Sequence, residues 1–183
     1  MDERQYGGVT LQCVEGDIVS QPDVGAIINA ANAQLRTGGG VAGAIHRAAG
    51  PGLEEECRPL APIRPGQAVI TGGHNLPNPY VIHCLGPVYG MDEPSDELLA
   101  ACYENALKLA EEAAIRSIAF PALSTGAFGY PMEDAARIAF RTIIARADSL
   151  SIVKLVRFVL FRAGDLQIHV RILDGLLSNP EQR

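Results

Sequence analysis

The sequence predicts an α/β protein in which a sheet is covered by helices on both faces. Short runs of β-branched and other apolar residues alternate with longer segments of helical period, which is the pattern of such folds. The last apolar run, VKLVRFVLF (153–161), is nearly continuous, as in a strand buried on both faces. With 183 residues, 48% of them apolar and 20% charged, the chain is expected to form one domain with a substantial core.

The elements follow in order along the chain. Six strands are predicted, at VTLQCVE (9–15), AIIN (26–29), QAVIT (67–71), YVIHCLG (80–86), SIAFP (117–121) and VKLVRFVLF. Helices are predicted over 41–49, 95–114, 132–147 and 165–177. Asp96 and Glu97 lie in a predicted first turn, where the helix dipole favours negative charge. Pro131 suits a helix start, because its missing N–H leaves nothing unpaired there.

The chain is interpreted as a single domain over 1–183, with flexible ends at 1–7 and 178–183. The Pro-rich stretch PLAPIRP (59–65) is too short to separate two domains. No apolar run approaches the ~20 residues of a membrane span, and MDERQYGG lacks the apolar centre of a secretory signal. A cytoplasmic protein without membrane association is therefore expected, and its oligomeric state stays open.

The cysteines, the histidines and the net charge disfavour several classes of site and ligand. The four cysteines, Cys13, Cys57, Cys84 and Cys102, form no C-x-x-C pair, which favours buried thiols over disulfides or zinc. The histidines His74, His83 and His169 show no metal-ligand spacing, so neither a metal nor another cofactor is predicted. The net charge of −6 opposes non-specific binding to nucleic acid. An anionic ligand must therefore be held by local contacts.

Four predicted strand-to-loop transitions are unusual, namely GDI (16–18), NAAN (29–32), GGGVAGAIHRAAG (38–50) and ALSTGAFGYP (122–131). Ligands of open α/β sheets collect beyond the carboxyl ends of the strands. A glycine-rich loop that opens a helix exposes backbone N–H groups that favour phosphate, although a tight turn explains either loop alone equally well. The first loop, GGGVAGAIH, lacks the G-K-[ST] of the triphosphatase fingerprint and the G-x-G-x-x-G order of the dinucleotide fingerprint. Together the four segments predict a diphosphate that is held from both sides.

With YVIHCLGP (80–87) and SIAFPALSTGAFGYP (117–131), these motifs run through most of the chain in order and at matching spacings. The sequence resembles the macrodomains, and is most similar to the branch of O-acetyl-ADP-ribose deacetylases and mono-ADP-ribosyl hydrolases. The resemblance implies a three-layer α/β/α sandwich with a mixed, largely parallel central sheet and a crest cleft for ADP-ribose. It implies ADP-ribose, O-acetyl-ADP-ribose or ADP-ribosylated proteins as ligands and partners.

The resemblance also assigns the adenine end of the site. Asp17 matches the acid that accepts a hydrogen bond from the adenine amino group, with the backbone of Ile18 beside it. The alternative for Asp17 is a helix cap, a common task of Asp after a strand. Phe161 matches the aromatic residue that lies against adenine, and its alternative is an ordinary place in the core.

The resemblance assigns the phosphates and the distal ribose to the other motifs. The residues implied to bind phosphate through their backbone are Gly38, Gly39, Gly40 and Val41 in the first loop and Ser124, Thr125, Gly126 and Ala127 in the second. Phe128 is implied to pack on the distal ribose, and Asn32 to bind its hydroxyls. Asn29 is implied to lie beside it, with a turn-stabilising role as the alternative.

One position departs from the hydrolase branch, because Ala42 stands where that branch has an aspartate that orients or activates the attacking water. Asn32, His46 and Phe128 remain as candidate catalytic residues around a water polarised by the diphosphate, although a packed structural role for His46 is the alternative. Since general-base catalysis contributes ~10²–10⁴-fold, weak hydrolysis is expected. A pure ADP-ribose reader is the alternative, and an adaptor for nucleic acid or poly-ADP-ribose is a third hypothesis, which the charge disfavours for nucleic acid.

Overall fold

The computed structural model describes residues 1–179, and within them seven strands and five α-helices are formed. The strands are β1 (Asp2–Tyr6), β2 (Val9–Glu15), β3 (Ala26–Ala30), β4 (Ala68–Gly72), β5 (Tyr80–Cys84), β6 (Ser117–Phe120) and β7 (Leu155–Leu160). The helices are α1 (Gly40–Ala49), α2 (Pro51–Cys57), α3 (Ser95–Glu112), α4 (Met132–Ala147) and α5 (Ala163–Ser178), with a 3-10 turn at Arg58–Leu60 after α2.

All seven strands join one mixed sheet in the order β1-β2-β7-β6-β3-β5-β4. The five central strands, from β2 to β5 in that order, run parallel to one another. The edge strands β1 and β4 are antiparallel to their neighbours. The carboxyl ends of the five parallel strands therefore meet along one edge of the sheet.

The two faces of the sheet carry separate apolar clusters, because side chains alternate along each strand. Ile28 of β3 belongs to the cluster that includes the buried sides of α3, α4 and α5. Ile27, its neighbour in β3, belongs to the cluster that includes the buried sides of α1 and α2. This arrangement confirms the three-layer α/β/α sandwich with a largely parallel sheet. In β7, five of the six residues are buried, as its continuous apolar sequence predicts.

The six predicted strands and four predicted helices are all present, with ends shifted by up to two residues. Apart from the 3-10 turn, one helix and one strand were not predicted. The short helix α2 begins with Pro51-Gly52, a sequence that resembles a turn, although Pro is favourable in the first helical turn. Strand β1 lies in the segment 1–7 that was expected to be a flexible terminus.

Residues 2–6 form a hairpin with β2. The register runs from Asp2 opposite Cys13 to Tyr6 opposite Val9, and Gly7-Gly8 forms the turn. The Arg4 guanidinium adds an ion pair with Asp174 of α5 at 2.7 Å. At the other terminus, Ser178 ends α5, and residues 180–183 of the expected flexible end lie outside the described residues.

The four cysteines are free and buried, as predicted. Within residues 1–179, no cluster of three or more His, Cys, Asp or Glu side chains is placed to hold a metal ion. In the same part of the chain, no helix is both long enough and apolar enough to cross a membrane.

Candidate ligand-binding site

A cavity of about 850 Å³ opens at the carboxyl edge of the five parallel strands. Its size lies within the range of roughly 300–1,000 Å³ that is typical of ligand sites. Each parallel strand contributes its end or the loop that follows it, and the first turns of α1 complete the wall. These lining segments are 16–18, 30–32, 38–42, Gly86, 121–128 and 159–162. Four segments that the sequence singled out thus reach one cavity.

The first glycine loop ends where α1 begins. Gly39 caps the helix, and Gly40, its first residue, has a φ of +55°, a conformation that favours glycine. The Gly43 amide donates to the Gly39 carbonyl at 3.3 Å. The earlier amides in the turn, those of Gly40, Val41 and Ala42, have no intrahelical acceptor and line the cavity.

The second loop is closed by its own backbone. Tyr130 N donates to Ser124 O at 2.9 Å, and Gly129 N donates to Gly126 O at 3.0 Å. Thr125 Oγ1 donates to Ala122 O at 2.8 Å. Within residues 1–179, the amides of Gly126, Ala127 and Phe128 make no hydrogen bond. Two sets of unused donors therefore border the same cavity, one from each loop.

The adenine-end candidates lie at the ends of β2 and β7. Asp17 is exposed on the cavity wall, and its Oδ1 accepts a hydrogen bond from Val19 N at 3.1 Å. This bond caps a turn, since no helix follows Asp17. Ile18 is buried beside it. Phe161 is 80% exposed, so the alternative of a core position for this residue is wrong.

Asn32, Gly38 and Ala42 lie together at the other end of the cavity. A Cβ built on Gly38 would lie 3.4 Å from Asn32 Nδ2 and 4.0 Å from the Ala42 Cβ. The Asn32 amide group closes its own loop, since Nδ2 donates to Arg36 O at 2.7 Å and Oδ1 accepts from Arg36 N at 3.1 Å. Phe128 is partly buried on the same wall.

Asn29 and His46 do not line the cavity. Asn29 lies inside β3, which excludes the turn-stabilising role, and its Nδ2 donates to His83 Nδ1 at 3.1 Å. His83 then has its proton on Nε2 and donates to Thr71 Oγ1 at 2.8 Å. Burial lowers the pKa of His83 to about 3, so the ring is neutral.

His46 faces the sheet instead of the cavity. It lies four residues beyond Ala42, about 6 Å further along α1, a helix that packs on β3. Its ring lies 6.5 Å from that of His83, and its Nε2 has no hydrogen-bond partner within residues 1–179. Burial lowers the pKa of His46. His46 is therefore packed against the sheet, as the structural alternative for this residue proposed, but its Nε2 lacks the hydrogen bond that a packed histidine usually makes.

Several lining residues lie outside the motifs quoted from the sequence, among them Met132, Arg162 and Asp165, and others, such as Ala44 and Arg47, lie in a motif without an assigned role. Arg47 is the most informative of them. Its Nη1 lies 2.9 Å from the point where a Cβ of residue 43 would stand, so the guanidinium folds back over the first turn of α1. The spacing from Gly43 to Arg47, one helical turn, is the signal that was available in the sequence.

Residues 28–139 match the Macro domain family model. The chain belongs to the macro domain family. A Macro domain-containing protein of Chlorobaculum tepidum is 49% identical over 167 residues, which are 90% of this chain and 96% of that relative. Two solved macrodomains share the fold and carry ligands. That of Oceanobacillus iheyensis with ADP has a TM-score of 0.92 at 39% identity, over 97% of this chain and 96% of the other.

The second solved structure is the Trypanosoma brucei macrodomain in complex with ADP-ribose. It has a TM-score of 0.82 at 34% identity, over 88% of this chain and 68% of that one. In the present protein, the sequence motifs that suggested the family are the same segments that line the cavity.

Proposed function

We propose that this macrodomain binds ADP-ribose in the cavity. The observation that carries the proposal is the pair of loops whose unused amides, at Gly40–Ala42 and Gly126–Phe128, border one cavity. The amides of the first loop combine hydrogen bonding with the positive end of the α1 dipole, and successive free amides such as those of the second loop can bind an anion together. The O. iheyensis and T. brucei macrodomains, solved with ADP and ADP-ribose, support the same ligand class.

The order of the strands gives the ligand a direction. The base is proposed to lie toward Asp17 and Phe161, which follow β2 and β7. The distal ribose is proposed to lie toward Asn32, Ala42 and Phe128. A carboxylate accepts a hydrogen bond from the adenine amino group, whereas guanine has a carbonyl oxygen there that repels it. Asp17 Oδ2 makes no hydrogen bond within residues 1–179 and is available for this contact.

The negative charge of the chain does not oppose this ligand. The charged side chains on the cavity wall are Asp17, Asp165, Arg47 and Arg162, which balance one another. The two arginines and the loop amides supply local positive potential for a diphosphate, although the whole protein carries −6. Nucleic acid would bind across the surface of the protein, where the net negative charge repels its phosphates.

Weak hydrolysis of O-acetyl-ADP-ribose or of mono-ADP-ribosylated protein is the finer proposal. A water would attack the ester carbonyl, the ribose hydroxyl would leave with a proton, and acetate and ADP-ribose would be released. Ala42 offers no base for this step. Asp17 follows β2, which lies three strands from β3, about 14 Å across the sheet. Asp165 lies in α5 after β7, which is two strands from β3, about 9 Å across the sheet. Neither carboxylate follows the strand that leads to Asn32. The water would instead be polarised by the diphosphate and positioned by Asn32 and Phe128.

A reader without turnover is the second candidate function. It is favoured by the position of His46, which is buried against the sheet and leaves no histidine on the cavity wall within residues 1–179. The substrate would then have to supply its own base. Both candidates share the same binding step.

Calorimetry with ADP-ribose, AMP and GDP-ribose tests the binding proposal. ADP-ribose is expected to bind more tightly than AMP, because AMP engages only one of the two loops, and more tightly than GDP-ribose. Failure to bind ADP-ribose would overturn the proposal. Equal affinity for the guanine analogue would overturn the role of Asp17 alone.

A further inference from the structure

Arg157 is a charged residue in the middle of a buried strand. It lies in β7 between Val156 and Phe158, and only 6% of it is exposed. Because side chains alternate, Arg157 shares the face of Val159, whose cluster contains Ile18 and Val24. The segment 17–24, which is not a helix, supplies both of these residues, and its backbone polar groups need partners.

The Arg157 guanidinium supplies hydrogen bonds to this segment. Its Nη1 donates to Gln21 Oε1 at 2.9 Å and to Asp23 Oδ1 at 2.8 Å, and its Nη2 donates to Asp23 Oδ2 at 2.6 Å. These bonds lower the pKa of Asp23 and keep it ionised at neutral pH. On the other side, Arg157 Nε donates to Gln12 Oε1 at 2.9 Å. The buried cation is thus paired and fixed.

Gln21 connects this fixed group to the cavity. Its Nε2 donates to the Asp17 carbonyl oxygen at 2.9 Å, and the same oxygen accepts a hydrogen bond from Ser20 N at 3.0 Å. The Asp17 carboxylate is in turn held by Val19 N. A continuous path of hydrogen bonds therefore runs from the interior of β7 to the exposed Asp17.

We propose that Arg157 and Gln21 are positioning residues for base recognition, which hold the Asp17 carboxylate in place to select adenine, whose 6-amino group donates where guanine and hypoxanthine carry a carbonyl oxygen. This inference rests on the proposed binding of ADP-ribose. An exposed carboxylate on a free turn would lose conformational entropy on binding, whereas one that is already fixed loses less. The path therefore contributes to the preference for adenine without touching the ligand.

The test compares two glutamines that both accept a hydrogen bond from Arg157. Gln21→Met removes the bond to the Asp17 carbonyl, while Gln12→Met, the matched control, removes a bond that does not involve segment 17–24. Affinities are measured for ADP-ribose and for its analogue with hypoxanthine, which has a carbonyl in place of the amino group. Gln21→Met is expected to weaken ADP-ribose binding about fivefold and to leave the analogue unchanged. Gln12→Met is expected to change neither, because Arg157 keeps its three bonds to Gln21 and Asp23, and Gln21 keeps its bond to Asp17.

Two further measurements keep the inference testable if Gln21→Met folds poorly. Gln21→Glu keeps an acceptor for Arg157 but loses the donor to Asp17, so it is expected to reduce the same preference. Hydrogen exchange of the Val19 amide, which needs no ligand, is expected to accelerate in both Gln21 variants and not in Gln12→Met.

The outcomes separate this inference from the function on which it rests. If the wild type binds neither ligand, the proposed function fails. If the wild type prefers ADP-ribose and both Gln21 variants keep that preference with unchanged Val19 exchange, only the positioning role is overturned.

Discussion

The Gly38 carbonyl oxygen lies against the backbone of Gly43, so close that a Cβ on residue 43 would overlap it. Gly43 is inside α1, where alanine is ordinarily better than glycine by about 1 kcal/mol. Here the glycine loop before α1 takes the space that alanine needs. Gly43→Ala is therefore expected to destabilise the fold and displace the loop, with ADP-ribose affinity falling at least tenfold. Denaturant unfolding and calorimetry check both effects.

The matched control is Gly175→Ala. Gly175 also lies inside a helix, α5, but a Cβ there would have no atom within 4 Å. This change is expected to stabilise the protein by about 0.5–1 kcal/mol and to leave binding unaltered. If Gly43→Ala is equally stabilising, the close approach to Gly38 does not constrain the loop.

Gly39 and Gly126 present the opposite situation, because a Cβ on either would stand in open space. Gly39 has a φ of −83°, which any residue adopts. Gly39→Glu and Gly126→Glu are thus expected to fold normally and to abolish ADP-ribose binding, since each places bulk and negative charge beside the unused amides. Thermal unfolding is measured beside affinity, with Gly175→Glu as a control for added charge. A large loss of stability would show instead that these glycines are structural.

Asp17→Ala is expected to weaken ADP-ribose binding about tenfold, through the loss of one charge-assisted hydrogen bond. Affinity for GDP-ribose should stay the same or rise, because the repulsion of the guanine carbonyl is removed. Glu15→Ala is the control, since Glu15 is an exposed acid two residues earlier that does not line the cavity. If Asp17→Ala binds ADP-ribose with unchanged affinity, Asp17 serves only to cap the turn through its bond with Val19.

The protein is expected to lose stability on mild acidification because of His83. Burial lowers its pKa to about 3 in the folded protein, against an ordinary value of about 6.5 in the unfolded chain. Below pH 6.5 the unfolded chain binds a proton that the folded protein does not, so stability is full above that pH and falls as the pH decreases. The free energy of unfolding is expected to drop by about 2 kcal/mol from pH 7 to pH 5. His46 and His169, whose pKa values burial also lowers, act in the same direction.

Denaturant unfolding across this pH range measures the effect, and His83→Gln should flatten the curve while lowering stability overall. Direct titration by NMR provides the decisive check. A His83 ring that titrates near pH 6.5 in the folded protein would contradict the prediction.

The sequence predicted the layers of the fold and the cavity edge because those depend on local patterns. Apolar runs such as that around Arg157 mark buried strands, and glycine loops before helices mark exposed amides. The orientation of single side chains depends on packing across elements, and there the prediction was less successful. Asn29 and His46 carry suitable chemistry in the right motifs, but both side chains face His83 instead of the cavity. Asn29 does so because β3 pairs with β5 in the register that sets it opposite His83, and His46 does so because it lies on the side of α1 that faces the sheet.

Arg47 and Gln21 were missed for the same reason. The role of Arg47 depends on a side chain that folds back over Gly43, and that of Gln21 depends on a contact with Arg157, 136 positions away. The one-turn spacing from Gly43 to Arg47 is visible in the sequence, but it does not show that the guanidinium folds back over the loop. The contact of Gln21 with Arg157 leaves no local pattern.

Ala42→Asp provides the final prediction, on whether this macrodomain turns its ligand over. Ala42 lies on the cavity wall beside Asn32 and Gly38, and it is 5% exposed, so a carboxylate there would reach the proposed site of the distal ribose. Hydrolysis of O-acetyl-ADP-ribose or ADP-ribosylated protein is expected to rise about tenfold or more, because a general base is restored. Binding should weaken only slightly, since the N-terminal dipole of α1 offsets part of the repulsion from the diphosphate.

Single-turnover assays of the wild type, Ala42→Asp and His46→Ala on both substrates distinguish the candidate functions. Because His46 lies off the cavity, His46→Ala is expected to change stability more than the rate of hydrolysis. A wild type as fast as Ala42→Asp would contradict the need for a carboxylate and show that substrate-assisted attack is sufficient. A wild type that binds tightly without turnover, and gains turnover in Ala42→Asp, would make the protein a reader, since its cavity then lacks only the base.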